Sequence, residues 1–188
     1  MKIDREVQRD PLLNHRPIII FGVAGCGKST VAEQVSALLG DNIELLDADD
    51  FHSDDCITKM TSGTPLDEQD REPWLRRLNQ ALIASTARGQ KVVLACSALR
   101  ESYRELLGNE LTPLWCHLNL ELSQAFLRAA ARQNHFFSAD MVRSQFEVLE
   151  VPSYGVHLNA GQTPLELAKK IIRADRQQQV DGLTATSF

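Results

Sequence analysis

The chain has 188 residues, 43% of them apolar and 24% charged, which suits one domain whose core is large enough to need no disulfides. Its formal net charge of −5 argues against broad binding to nucleic acid or an anionic membrane, but leaves room for a small basic pocket. The four cysteines, Cys26, Cys56, Cys96 and Cys116, are far apart and lack paired metal-ligand spacing, so they read as reduced thiols of a cytoplasmic protein.

Residues 1–16 mix charges without an apolar leader region, which predicts a loosely attached arm rather than a signal or transit peptide. No apolar run approaches the length of a membrane span. Pro17-Ile18-Ile19-Ile20-Phe21 is an unbroken β-branched and aromatic run, the pattern of a strand covered on both faces. It flows through glycines into a segment where Val31, Val35, Leu38 and Leu39 recur at helical spacing, with Gly40 as a stop. IELLD, KVVLAC, LWCHLNL and the weaker GVHLN predict four more strands. Helical patterns separate them, the longest from Asp67 to Arg88. This alternation predicts a three-layer α/β/α domain over residues 17–173, with a parallel sheet and a polar, frayed tail from 174 onward. In such sheets ligands bind beyond the carboxyl ends of the strands.

The first strand end carries the sharpest motif. Gly22-Val23-Ala24-Gly25-Cys26-Gly27-Lys28-Ser29 fits G-x-x-x-x-G-K-[ST] between an apolar strand and an amphipathic helix. Successive backbone N–H groups of such a loop point at phosphate oxygens, and the positive end of the helix faces the same anion. Gly22 to Gly27, with Lys28, Ser29 and Thr30, are therefore the candidate ATP-binding residues, Lys28 reaching the β- and γ-phosphates and the Ser29 hydroxyl ligating Mg²⁺. The motif alone specifies a polyphosphate, not a kinase.

The second strand ends in Asp47-Ala48-Asp49-Asp50-Phe51-His52. In extended backbone Asp47 and Asp49 point the same way. One carboxylate can hold magnesium, here Asp47, and the other, Asp49, can take a proton from an attacking hydroxyl. Asp50 competes with both for the base, and His52 is placed to touch substrate. The alternative is a solvated acidic turn capping the next helix.

GVAGCGKS, DADDFH, KMTSGTPLDEQDREPWL, CSALRESYR, ARQNHFF and SQFEVLEVP together resemble the gluconate kinases, small P-loop kinases of the shikimate and adenylate kinase fold group. The resemblance runs from Ile18 to Ile172. It implies ATP-dependent phosphorylation of D-gluconate to 6-phosphogluconate, feeding the pentose phosphate pathway, in a homodimer with strand order 2-3-1-4-5. It places Lys59, Arg71, Ser97, Arg100, Tyr103 and Arg104 near the sugar-acid pocket, and Arg128, Arg132 and His135 in a lid over about 122–150. The chemistry agrees: a polyol bearing a carboxylate needs cations and several hydrogen-bonding groups. Arg100 and Arg104 are four apart, as are Arg128 and Arg132, so each pair is expected on one helix face. A lid carrying cations inward, with Arg128 on the nucleotide and Arg132 on the transferring group, would exclude water from the reaction. Trp74 reads as core, on a stripe with Leu75, Leu78, Leu82 and Ile83.

Four positions depart from the family pattern: Ala48 for glycine, Ser53 for proline, Cys56 for asparagine and Asn134 for a lid glycine. The loop after Pro152 is also shortened, which bears on nucleotide preference. Competing readings are a kinase for shikimate or another sugar acid, and a non-catalytic ATP-dependent switch. A polynucleotide kinase is disfavoured by the acidic balance and the lack of a basic, aromatic-lined stretch.

Overall fold

All four residues of β1, Ile18–Phe21, are shut off from water, as a strand covered on both faces requires. The computed structural model describes residues 15–131 and 139–185. In it β1 is the middle of a five-stranded sheet with β2 (Ile43–Asp47), β3 (Lys91–Cys96), β4 (Leu114–Asn119) and β5 (Val156–Asn159). The strands are parallel and lie in the order β2-β3-β1-β4-β5, the order implied by the resemblance.

Side chains alternate between two cores along each strand. On one face Ile18, Ile20, Val93, Ala95 and Cys116 meet Val31 and Val35 of α1 (Lys28–Leu39) and Leu167 and Ile171 of α7 (Pro164–Ala185). On the other face Ile19, Phe21, Leu94 and Cys96 meet Trp74, Leu75, Leu78 and Leu82 of α3 (Glu68–Ala87) and Tyr103 and Leu107 of α4 (Glu101–Leu107). Each fully buried Ile, Leu or Phe contributes about 1.5–3 kcal/mol, so these two layers fix the architecture.

The long helix starts where its sequence dictates. The Asp67 carboxylate accepts from the Asp70 amide at 3.0 Å, and the Asp70 carboxylate accepts from the Asp67 amide at 3.1 Å. This reciprocal box satisfies two donors that the helix cannot pair internally. Shorter helices complete the layers: α2 (Asp54–Thr61), α5 (Leu122–Ala130) and α6 (Ala139–Val148). Ser53, a departure from the pattern the resemblance implies, caps α2 by accepting from Cys56 N at 3.3 Å.

The segment after Arg173 differs from the frayed tail expected. It continues α7 to Ala185. Asp175 is 2% exposed and accepts from Lys91 Nζ at 2.8 Å and Arg16 Nε at 2.9 Å. Lys91 opens a buried strand, and removing its counter-ion would strand a charge in the core, so the helix is anchored there. Burial pulls the Lys91 ammonium below its usual range, and the Asp175 charge opposes that. Arg16, assigned to the arm, belongs to this junction. No described helix is long and apolar enough to cross a membrane.

Candidate active site

The carboxyl ends of β1, β2 and β3 border a cavity of about 360 Å³. Lys28, Ser29, Asp47, Asp49, His52, Arg71 and Ser97 all line it, together with Ala24, Gly25 and Gly27 of the first turn. Three carboxylates, with Asp50 the third, and the phosphate-loop lysine therefore face one space, on the same edge of the sheet.

The loop is packed too tightly for a side chain where it leaves β1. A Cβ on Gly22, whose φ is +147°, would lie 2.7 Å from the Leu118 carbonyl oxygen. Gly22 N instead donates to Ser97 O at 3.3 Å, tying the loop to the turn after β3. Cys26 is 1% exposed, and burial raises its thiol while Lys28 opposes the rise, so this residue offers the loop its backbone rather than its sulfur. Lys28 Nζ donates to Val23 O at 3.1 Å. Thr30 is exposed on α1 and does not line the cavity.

Asp47 ends β2, and the chain then turns sharply instead of staying extended. Ala48–Phe51 form a 3₁₀ turn, with Asp47 Oδ1 accepting from Asp49 N at 3.1 Å. The two carboxylates thus come together through a capped turn rather than by strand alternation. Asp47 Oδ2 accepts from the Ser29 hydroxyl at 2.6 Å, joining the loop motif to the second strand. Helix α3 holds this turn from below. Trp74 Nε1 donates to Ala48 O at 2.8 Å, and Arg77 donates to Phe51 O through Nε and Nη2 at 3.2 and 3.0 Å. Ala48 fits because its carbonyl, not a special backbone angle, is what the turn uses.

His52 stacks on Trp74, with ring centroids 4.6 Å apart and planes 10° from parallel. Its Nδ1 is buried with no hydrogen-bond partner among the described residues. Burial pulls the imidazole below its usual range, opposed by the Asp49 charge, so the neutral ring is favoured. Trp74 is core as expected, but its face also shapes the cavity. Met60, Pro65 and Leu66 add an apolar side.

The expected arginine cluster divides. Arg71 lines the cavity, and its Nη1 donates to Tyr103 Oη at 3.2 Å. Arg100 lies outside the lining, at the extended residue before α4, with its Nη1 3.0 Å from Glu68 Oε1. Tyr103 Oη donates to the same Glu68 oxygen at 2.6 Å. Because Arg100 precedes the helix, it shares no helix face with Arg104.

Arg104 and Lys59, expected like Arg100 to bind substrate, are also engaged elsewhere. Arg104 is 1% exposed, and its guanidinium is fully engaged by Ala98 O, Leu99 O, Glu150 O, Glu101 Oε2 and Tyr154 Oη. It has no donor left for a ligand and instead binds the turn after β3 to the chain leaving α6. Lys59 is outside the lining and donates to both Asp70 oxygens at 2.7 and 2.8 Å, which pins α2 to the start of α3. Cys56 is buried within α2 away from the cavity lining, so the missing amide changes no described contact there.

Arg128, on α5, lies across the outside of the loop. Its Nη2 donates to Ala160 O at 3.0 Å, and its Nη1 sits 3.5 Å from Gly25 O. Arg132, Asn134 and His135 lie outside the described residues. The shortened loop packs on the α4 side: Tyr154 Oη donates to Glu101 Oε1 at 2.6 Å, and a Cβ on Gly155 would meet Trp115 O at 2.5 Å. Residue patterns gave no role to Ser144 and Gln145 of α6, which also line the cavity. Both stand in the SQFEVLEVP segment that carries the resemblance, but nothing in its local pattern assigns either a contact.

Comparison with known proteins agrees with this geometry. The shikimate kinase family model matches residues 24–174. The thermoresistant gluconokinase of Escherichia coli K12 is 38% identical over 178 residues, covering 93% of each chain. A probable gluconokinase of Rattus norvegicus is 35% identical, covering 84% of this chain and 96% of its own. The crystal structure of a gluconokinase from Sinorhizobium meliloti 1021 superposes with a TM-score of 0.78 at 29% identity, covering 93% of this chain and 99% of that one. With a family model matching residues 24–174 and relatives 35% and 38% identical over most of their length, the chain belongs to the shikimate kinase family and, within it, to the gluconokinases.

Proposed function

We propose that the protein transfers the γ-phosphoryl group of ATP to the terminal hydroxyl of D-gluconate, giving ADP and 6-phospho-D-gluconate for the pentose phosphate pathway. The observation that carries this reading is one cavity lined by Lys28, Ser29, Asp47, Asp49 and Arg71. The amides of Gly25, Gly27, Lys28 and Ser29, the last two at the start of α1, bind the phosphates, and Lys28 reaches their outer oxygens. Asp49 accepts the proton as the acceptor oxygen bonds to the γ-phosphorus and the bond to ADP breaks. Arg71 answers the substrate carboxylate, while neutral His52 and Ser97 suit polyol hydroxyls. Arg128 serves the nucleotide. Arg132 and His135 are assigned to the lid by resemblance.

Ser29 Oγ and Asp47 Oδ2, 2.6 Å apart beside the phosphate loop, are the hard oxygen donors that suit Mg²⁺ with its waters and phosphates. When bound there, the ion would neutralise charge on the β- and γ-phosphates. A homodimer in the cytoplasm is inferred from the resemblance, and sedimentation of the purified protein tests the former.

The decisive experiment is a coupled ADP-release assay across gluconate, gulonate, idonate, glucose and shikimate. Turnover concentrated on gluconate is expected. Strong turnover with shikimate and none with gluconate would overturn the substrate assignment.

A further inference from the structure

Helix α6 places one side chain directly on the phosphate loop. Ala24 N donates to Gln145 Oε1 at 2.6 Å. The orientation of the amide is forced, because only its oxygen can accept from an N–H group. Its Nε2, which carries two donors, makes no hydrogen bond among the described residues, while Gln145 lines the same cavity as Lys28, Asp49, Arg71 and Ser97.

The helix that carries Gln145 is held on two sides. On the same helix Val142 is fully buried and Phe146 packs against the core. Just beyond α6, Glu150 N donates to Leu99 O at 2.9 Å and Arg104 Nη2 donates to Glu150 O at 2.7 Å. Both ends of the arrangement are therefore fixed to the turn after β3 and to the loop. Ala24 lines the same cavity as Asp49 and Arg71.

From this we infer that Gln145 is a catalytic residue of the transfer: the loop clamps its oxygen so that its NH₂ group donates to the transferring phosphoryl group. Resting on the reading of this cavity as the transfer site, the inference adds a donor that is fixed before substrate arrives. Such donors stabilise charge developing on equatorial oxygens, and losing one costs roughly 10²–10³ in rate.

The test compares Gln145→Leu and Gln145→Glu in the full chain, with steady-state rates and calorimetric ADP binding. Leu removes acceptor and donors; Glu keeps an acceptor for Ala24, removes the donors and turns a negative charge toward the phosphoryl group. Both are expected to lose kcat by about 10²-fold or more, Glu more than Leu, with ADP affinity within about threefold of wild type. Three results would overturn the inference: Gln145→Leu keeping its kcat, Gln145→Glu outrunning Gln145→Leu, or ADP affinity falling in step with kcat, which marks a mere loop tether. If gluconate itself is not turned over, the substrate assignment fails separately, and the variants are compared on whichever acid of the panel is.

Discussion

Arg104 Nη1 donates across 2.8 Å to the carbonyl of Ala98, a fully buried residue whose φ is +41°. Left-handed backbone is unfavourable for alanine. The guanidinium holds this strained turn, with a second donation to Leu99 O, and the turn begins with cavity-lining Ser97. Arg104 also reaches Glu150 O, so one side chain couples the acceptor side of the cavity to the exit of α6.

Replacing Arg104 therefore acts on stability first. A lysine keeps the charge but cannot reproduce a planar fork with five donors. Arg104→Lys is expected to cost about 3 kcal/mol in urea unfolding, the scale for breaking a buried charge network. A variant within about 0.5 kcal/mol of wild type would show that the clamp is not needed.

Asp49 separates an enzyme from a nucleotide-dependent switch. Asp49→Asn keeps the shape of the turn, which is capped by the Asp47 carboxylate and not by Asp49. Transfer is expected to fall by about 10²–10⁴-fold while ATP binding, read by calorimetry, stays close to wild type. A variant that keeps its transfer rate would move the base to Asp50, which lines the same cavity.

Much of this arrangement is legible in the chain itself, for definite physical reasons. The phosphate loop is a local device, so its strand, glycines, lysine and serine stand together in sequence. β1 could be read because burial on both faces removes polar residues from the run. The resemblance sets Arg104 near the sugar-acid pocket, but neither it nor local spacing shows whether a guanidinium faces solvent or three carbonyls, one of them 46 residues away. Lys59 failed for a related reason: its partner, Asp70, is brought near by the fold, not by helical spacing. Asp175 looked like part of a solvated tail because its partner Lys91 is 84 residues distant.

Glu68 offers a test of how the cavity tells acids from neutral sugars. Its Oε1 accepts from Tyr103 and Arg100 and lies 3.6 Å from Arg71 Nη1, so an internal carboxylate already sits among the groups that suit a substrate carboxylate. Glu68 is 59% exposed, which limits the pairing energy. Glu68→Gln is expected to lower KM for gluconate about two- to threefold by freeing positive charge, with little change for glucose. A raised KM for gluconate would mean that Glu68 orients Arg71 instead of competing with its ligand.

His117 gives the fold an acid-sensitive point away from the cavity. It is 3% exposed, stacks on Phe21 at 5.1 Å, and its Nδ1 lies 3.4 Å from Nδ1 of His157. Burial, then the neighbouring His157 and Arg104, pull its imidazole from 6.5 down to about 4. Above pH 6.5 the ring is neutral in both folded and unfolded chains, and the fold keeps its full stability. As the pH falls from there toward 4, the unfolded chain takes up a proton that the folded chain refuses, so stability is lost. Below about 4 the folded chain binds it too, and this loss stops growing. His117→Phe keeps an aromatic ring against Phe21 and removes the titration. Between pH 7 and pH 4.5 the wild type is expected to lose about 2 kcal/mol more than this variant in urea unfolding. Equal losses in the two proteins would place the acid sensitivity elsewhere, with the carboxylates bound by Lys59 and Arg104 as the next groups to replace.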